Sequence, residues 1–299
     1  MSDMTRDILA IIICFKPNHE RLRGLIDAIS GSVGRIVLFD NGGLDVAKLA
    51  CTGAEKIQVE SPGENVGLAT ALNFACEYGA KNGYRFLISF DQDSTPPAEM
   101  IPILERELLA YQAKNARAIA IGPQLVDVRD GKEMISPFVR FGKIGISKWS
   151  GDGTEPVSQL ITSGCMVDLS VWGTENRFND ELFIDYVDNN WCWRMTRKKY
   201  LVLGTSRARM PHELSEEIKE SSYISLNKYG WIRRYFQMRN GVYHLAHESL
   251  SLAQRLYVLR AMIVVFLSSV ISDERPLQSV WQCMRGAAHG LVGRMGAYR

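Results

Sequence analysis

The sequence contains no Cys-x-x-Cys pair. Its six cysteines, at positions 14, 51, 76, 165, 192 and 283, are scattered. That spacing argues against a zinc site or a disulfide scaffold and fits a reducing compartment. Each cysteine reads as a small core hydrophobe. No Gly-x-Gly-x-x-Gly follows the first predicted strand and no P-loop is present, which disfavours a dinucleotide site and ATP hydrolysis. There is no nucleic-acid-binding motif. The start of the chain, Met1 to Asp7, is polar, so no signal peptide is expected. The apolar run from Ala261 to Ile271 has only eleven residues, short of the roughly 20 that span a bilayer. It is expected to be a core or interfacial helix.

What is present fits an ordinary folded enzyme-sized chain. At 299 residues, 46% hydrophobic and 23% charged, it can hold one large α/β domain with an appendage, or two small domains. The net charge of +2 is uneven. Residues 221–299 carry ten Lys/Arg against three Asp/Glu, leaving the first 220 residues acidic. The basic segment also carries Trp231, Tyr235, Tyr243, Tyr257 and Trp281. Basic residues mixed with aromatics suit an anionic membrane surface or a diphosphate-linked lipid.

The organising stretch is Phe86 to Pro97. Phe86 to Phe90 reads as a buried strand, and Asp91 and Asp93 follow at its carboxyl end, where open parallel sheets place ligands. Two hard oxygen donors two residues apart suit Mg²⁺ or Mn²⁺, with a substrate diphosphate supplying further ligands. Thr95 is expected to cap the next helix. The same residues match the Asp-x-Asp-x-Thr of an aspartyl phosphatase, and a solvated acidic turn is the plain alternative.

The rest of the first half alternates strand and helix: Ile8 to Phe15, a helix through Leu22, Leu25, Ile26 and Ile29, Arg35 to Phe39, Lys56 to Glu60, a helix opened by Asn65, then the Phe86 strand. That order means right-handed crossovers and a mostly parallel sheet. Asp40 ends the second strand, where a carboxylate can take a ribose hydroxyl or a base N–H. The small residues after Asn65 let a helix start close to a diphosphate. A further helix is expected over 98–113 and strands at 118–121, 160–167 and 201–203. Residues 127–158 read as a hairpin and a mobile loop. Ser163-Gly164 inside a predicted strand marks a close approach. Val187, Trp191 and Arg194 recur at helical spacing, which puts Asp188 in a first turn, where the dipole favours an anion. That suits either a capping carboxylate or a general base. His212 is a candidate third metal ligand. Trp231 to Asn240 reads as a helix with one basic face.

Taken together, the chain resembles bacterial rhamnosyltransferases of the inverting glycosyltransferase family 2. The matching pieces are Asp40-Asn41, Glu64-Asn65-x-Gly67-Leu68-Ala69, Asp91-Gln92-Asp93-Ser94, Ile121-Gly122-Pro123, Thr162-Ser163-Gly164, Phe183-Ile184-Asp185-x-Val187-Asp188, His212 and Arg234-Tyr235-x-x-x-Arg239-Asn240. The resemblance covers residues 8–241. It implies a GT-A-type fold. With the chain's own charge and pattern, it divides the chain into a catalytic domain over 1–220 (a nucleotide-binding half, 1–125, and an acceptor-binding half, 126–220) and a helical basic extension over 221–299, whose last ~60 residues match no family motif. It implies a dTDP-L-rhamnose donor, a polyprenyl-diphosphate-linked oligosaccharide acceptor of a surface polysaccharide such as O-antigen, and a cytoplasmic enzyme peripheral on the inner leaflet. Asp40, Asn65, Asp91, Gln92, Asp93, Ser163, Gly164 and Arg239 would hold the donor. Asp91, Asp93 and His212 would hold the metal. Asp188 would be the base, and Asp185, Asn190 and Trp191 would meet the acceptor. One departure is Asn190, where the family has a carboxylate. A sister transferase using UDP-galactofuranose is the nearest rival reading, ahead of a phosphatase or a non-enzymatic membrane adaptor.

Overall fold

The computed structural model describes residues 7–49, 53–129, 132–211, 218–221, 224–227 and 229–298. His212, a candidate metal ligand, lies outside the described residues. Contacts within the chain separate two units. The first comprises Met1–Val139, Lys148–Asn179 and Asp188–His212; the second comprises Arg140–Ser147, Asp180–Val187 and Glu213–Arg299. The second unit thus takes in two short segments from the earlier chain as well as the basic region.

The first unit is built on a nine-stranded sheet. In chain order its elements begin β1 (Ile8–Cys14), α1 (His19–Ile29), β2 (Arg35–Asp40), β3 (Ile57–Glu60), α2 (Gly67–Lys81), β4 (Phe86–Asp91) and α3 (Met100–Gln112). They continue with β5 (Ala118–Arg129), β6 (Lys132–Ser136), a two-stranded ribbon of β7 (Phe138–Phe141) and β8 (Ile146–Trp149) whose residues Arg140–Ser147 are counted in the second unit, then β9 (Thr154–Val157), β10 (Cys165–Asp168), α4 (Val187–Arg197, of which Val187 is counted in the second unit) and β11 (Leu201–Pro211). The sheet order is β3-β2-β1-β4-β10-β5-β11-β9, with β6 beside β5. Strands β1 to β4 are parallel, as the alternation predicts. β10 runs antiparallel between β4 and β5, and β11 is again parallel to β5.

The continuous apolar run of β1 is explained by burial on both faces. Ile8, Ala10, Ile12 and Cys14 join the core cluster with Leu22, Leu25, Ile26 and Ile29 of α1 and Leu104 and Leu108 of α3. Leu9 points the other way, toward Gly79 of α2, as the two-residue period of a strand requires. α1 is capped by Asn18, whose side chain accepts from the Glu20 and Arg21 N–H groups.

Several boundaries differ from expectation. α3 starts at Met100 with Glu99 at its N-cap and no side-chain cap bond, so Thr95 does not cap it. α2 starts at Gly67 rather than Asn65. The strand expected over 160–167 begins only at Cys165, because Thr162 to Gly164 form a turn in which Gly164 adopts φ +76°. β5 runs to Arg129, past the Gly122-Pro123 pair that was expected to end it. β10 leaves β5 at Ile121, and β6 joins only at Leu125. Pro123, which has no N–H to donate, falls in the gap between those two partners.

The second unit contains the β12 (Ile218–Ser221) and β13 (Ile224–Asn227) hairpin and three helices, α5 (Trp231–His247), α6 (Leu252–Ile271) and α7 (Pro276–Leu291). α5 and α7 pack backbone to backbone. A Cβ on Gly286 would lie 2.4 Å from the Tyr235 carbonyl oxygen, and one on Gly290 would lie against that of Arg239. α6 is capped by a capping box of Ser251 and Gln254. It is 20 residues long with a mean hydropathy of 1.6, so by length and composition it is long and apolar enough to cross a membrane. The helix extends beyond the eleven-residue apolar run, through the polar-interrupted turns from Leu252 to Arg260.

Candidate active site

The site is assembled at one end of the sheet in the first unit. Register sets its frame: Cys14 pairs with Asp40 on one side, and Ile13 pairs with Asp91 on the other. The two carboxylates therefore flank the end of β1, at the carboxyl ends of parallel strands. Asp40 is held by its own turn. Its Oδ1 accepts from the Gly42 and Leu44 N–H groups at 2.8 and 3.2 Å, and Ser61 Oγ donates to Oδ2 at 3.4 Å. Burial, with Asp40 close by, pushes the Cys14 thiol up to about 12.

The start of α2 is pinned to the same edge. Buried Asn41 accepts from the Val66 N–H at 3.1 Å and donates to the Gly67 carbonyl at 3.3 Å. Asn65 Oδ1 accepts from the Gly67 N–H at 2.9 Å, a local turn that replaces the cap expected of it. Gly67 takes φ +85°, which glycine tolerates without a Cβ penalty.

The loop after β4 is fixed from two directions. Gln92 uses its amide as a surrogate peptide: Oε1 accepts from Phe15 N–H at 2.7 Å, and Nε2 donates to Phe15 O at 3.1 Å. Ser163 Oγ accepts from the Asp91 N–H at 3.4 Å and shares a 2.5 Å hydrogen bond with Ser94 Oγ. Gly164 donates its N–H to Ser89 O at 2.7 Å. The turn Thr162–Gly164 is thereby sewn to β4. Asp91 is half-buried and Asp93 exposed.

Residues of that turn also line a narrow, almost wholly apolar cavity. Asp188 lines it together with Ser89, Thr162 and Cys165, and with Trp191 and Cys192 from its own helix. Asp188 sits in the first turn of α4 and its Oδ1 accepts from the Asn189 N–H at 2.8 Å. A helix N-terminus favours the ionised carboxylate. Burial pushes the Cys192 thiol up to about 12 and the Cys165 thiol well above its usual range, and the negative charge of Asp188 adds to both. The turn 162–165 thus contributes both to the Asp91 loop, through Ser163, and to the lining of the Asp188 cavity, through Thr162 and Cys165.

A dTDP-rhamnosyl transferase, RfbF of Shigella flexneri, is 30% identical to this chain over 241 residues, covering 79% of each. This chain belongs to the rhamnosyltransferase family. Among solved structures, GalNAc-T7 with UDP, GalNAc and Mn²⁺ matches with a TM-score of 0.56 at 12% identity. That match covers 71% of the rhamnosyltransferase chain and 44% of GalNAc-T7, so the chain spans less than half of that protein. Residues 1–349 of TarS from S. aureus match with a TM-score of 0.55 at 12% identity, over 96% and 82% of the two chains. The shared fold is that of GT-A glycosyltransferases. No family model matches the chain.

Other expected site residues of the rhamnosyltransferase take different places. Trp191 is buried, stacks on Phe178 at 5.2 Å between ring centroids and donates its indole N–H to Asn176 O. It backs the cavity rather than presenting a polar edge to it. Asn190 is also buried. Asp185 and Arg239 belong to the second unit. Asp185 pairs with Arg233 at 3.2 Å. Arg239 is fully buried, and its guanidinium donates to the Glu181, Leu182 and Gly296 carbonyls and to Asn240 Oδ1. A group so engaged holds the chain together and has no donor left facing solvent for a sugar nucleotide.

Arg239 and Asn240 brace an unusual segment. Phe183, Asp185 and Tyr186 all have positive φ near +60°, a conformation costly for residues with a Cβ. Asn240 Nδ2 donates to the Leu182, Ile184 and Asp185 carbonyls at 2.7 to 3.0 Å. Residue-by-residue reading missed Asn240, Asn41 and Ser94. Asn41 carried a signal, since an Asn before Gly-Gly at a strand's end is placed to bond a neighbouring backbone.

Asp91 and Asp93 offer hard carboxylate oxygens at and after the strand end, which fits Mg²⁺ or Mn²⁺. Among the described residues no group of three or more His, Cys, Asp or Glu is placed to hold a metal.

Proposed function

We propose that this rhamnosyltransferase moves L-rhamnose from dTDP-L-rhamnose to a hydroxyl of a growing, polyprenyl-diphosphate-linked surface polysaccharide such as O-antigen, with inversion. The enzyme then works in the cytoplasm at the inner leaflet, where such an acceptor is anchored. The observation that carries this reading is the turn 162–165, which contributes to both the Asp91 loop and the Asp188 cavity.

In this mechanism Asp40 and the start of α2 receive the nucleotide end of the donor, the latter through backbone N–H groups. Asp91 and Asp93, with His212 as the third ligand, would hold Mg²⁺ or Mn²⁺, and a cation there would supply Lewis-acid neutralisation of charge on the leaving diphosphate. Asp188 takes the proton from the acceptor hydroxyl. That oxygen attacks the anomeric carbon as the bond to the diphosphate oxygen breaks, so one displacement inverts the configuration. One carboxylate suffices because the leaving group needs no proton, unlike the paired acid and base of glycosidases.

A thermal-shift comparison with Mn²⁺ tests the donor. Stabilisation by dTDP but not UDP is expected; the reverse would favour a UDP-sugar. Asp93→Ala is expected to lose both activity and metal dependence, and wild-type turnover unchanged by excess chelator would contradict the metal site. The anomeric configuration of the product, read by NMR, decides inversion.

A further inference from the structure

α6 and α7 each bury one face and expose the opposite one. On α6 the exposed positions are Leu252, Leu256, Leu259, Ile263, Phe266 and Val270, with Ile263 59% exposed. On α7 they are Leu277, Trp281, Met284, Ala288 and Leu291, with Leu277 88% and Trp281 62% exposed. The spacing alternates between four and three residues throughout, which keeps each stripe on one side of its helix. Opposite these stripes, Gln254, Ser268 and Ser269 of α6 and Ser279, Gly286 and Gly290 of α7 are buried within the unit. Single exposed apolar side chains are ordinary, but eleven in two unbroken helical stripes mark an interaction surface.

The charges around the stripes identify what covers them. Arg255 and Arg260 flank the α6 stripe on either side, and no acidic residue occurs between Glu248 and Asp273, or after Glu274. A second copy of the chain would set arginine against arginine along such a seam, which disfavours self-pairing. An anionic lipid headgroup accepts those arginines, while Trp281 suits the boundary between headgroup and acyl chain. A bilayer-spanning α6 is a poor fit, since Arg255 and Arg260 would enter the hydrocarbon and Gln254, Ser268 and Ser269 would leave their buried positions.

We propose that the exposed stripes of α6 and α7 form a docking surface that lies flat on an anionic bilayer. Its purpose rests on the lipid-linked acceptor proposed above; its existence does not. Leu259 and Ile263 enter the acyl boundary, and the flanking arginines reach phosphate.

The test is co-sedimentation of the full chain with vesicles of phosphatidylcholine, with and without phosphatidylglycerol. Binding to the anionic vesicles is expected, weakened by salt and reversed by alkaline carbonate. Arg260→Gln should weaken it about fivefold, and Ile263→Glu combined with Trp281→Glu by more than about tenfold. Transfer to a water-soluble acceptor should be unchanged in both variants. Absence of wild-type binding, or carbonate-resistant binding, would overturn the surface. So would a wild-type dimer that the Ile263→Glu and Trp281→Glu pair dissociates. Failure of the wild type to transfer rhamnose to a soluble acceptor would count against the proposed function, while vesicle partition decides the surface alone.

Discussion

Replacing Arg239 by lysine separates a donor-binding role from a structural one. The guanidinium is fully buried and donates to three backbone carbonyls and one side-chain oxygen. Lysine keeps the charge but offers one ammonium at the end of a flexible stem, and it cannot reproduce a planar fork. At least two charge-assisted bonds are lost, each worth about 1.5–3 kcal/mol, so the variant should lose about 3 kcal/mol. For a chain of this size each kcal/mol moves the melting temperature by roughly 2–4 °C, a drop of about 10 °C. The carbonyls of Glu181 and Leu182 lie next to the positive-φ segment, so the loss should fall on that segment first. Scanning fluorimetry without nucleotide measures the drop, and calorimetric titration with dTDP measures donor affinity. The expected result is a large thermal loss with a Kd for dTDP within about threefold of wild type, less than 1 kcal/mol on the binding scale. An unchanged melting temperature with donor affinity abolished would refute the structural assignment and restore Arg239 to the nucleotide site.

Asp273 and Arg234 form a buried pair at 2.7 Å, both nearly inaccessible. Burial raises the Asp273 carboxyl, but hydrogen bonds from Arg234 and Ser279 outweigh it and hold it below the usual carboxylate value. Its stabilisation is thus complete above about pH 4 and fades as pH falls through the lowered value. Asp273→Asn should flatten the acid limb of a stability–pH curve and cost about 3–5 kcal/mol at neutral pH; an unaltered limb in urea titrations would contradict this. Gly164→Ala places a Cβ 3.0 Å from Pro123 Cγ at φ +76° and should cost about 1–2 kcal/mol, read as a lower denaturation midpoint. The five described cysteines are all buried, and burial raises Cys14 and Cys192 to about 12. Thiol reagents at pH 8 should label them only on unfolding; rapid labelling of the native protein at Cys14 or Cys192 would show that these sites open.

The parallel half of the fold was legible because burial on both faces leaves an unbroken apolar run, as in β1 and β4, and each run ends in a polar turn. The positions of Asp40, Asp91 and Asp188 at element ends followed from those same signals. What escaped depends on partners distant in sequence. β5 passes through Gly122-Pro123 because β10 and β6, on one side of it, leave a gap there, while β11 pairs on the other, which no local pattern reveals. Ser163 became part of the Asp91 loop through a contact across 72 residues. Arg239 looked like a ligand residue because a charged side chain in a motif usually faces solvent; its carbonyl partners come from residues 181, 182 and 296. α6 was underestimated because Gln254, Arg255 and Arg260 interrupt the apolar run, although they do not interrupt the helix.

We propose that Asp188 activates the acceptor beside the residues that receive the donor. Asp188→Asn, assayed for transfer and for donor binding on the same preparation, tests it most directly. Transfer should fall by between about a hundredfold and ten-thousandfold, the range for loss of a general base, while calorimetry finds the donor bound as in wild type. Transfer within a few fold of wild type, or loss of donor binding in step with activity, would contradict it.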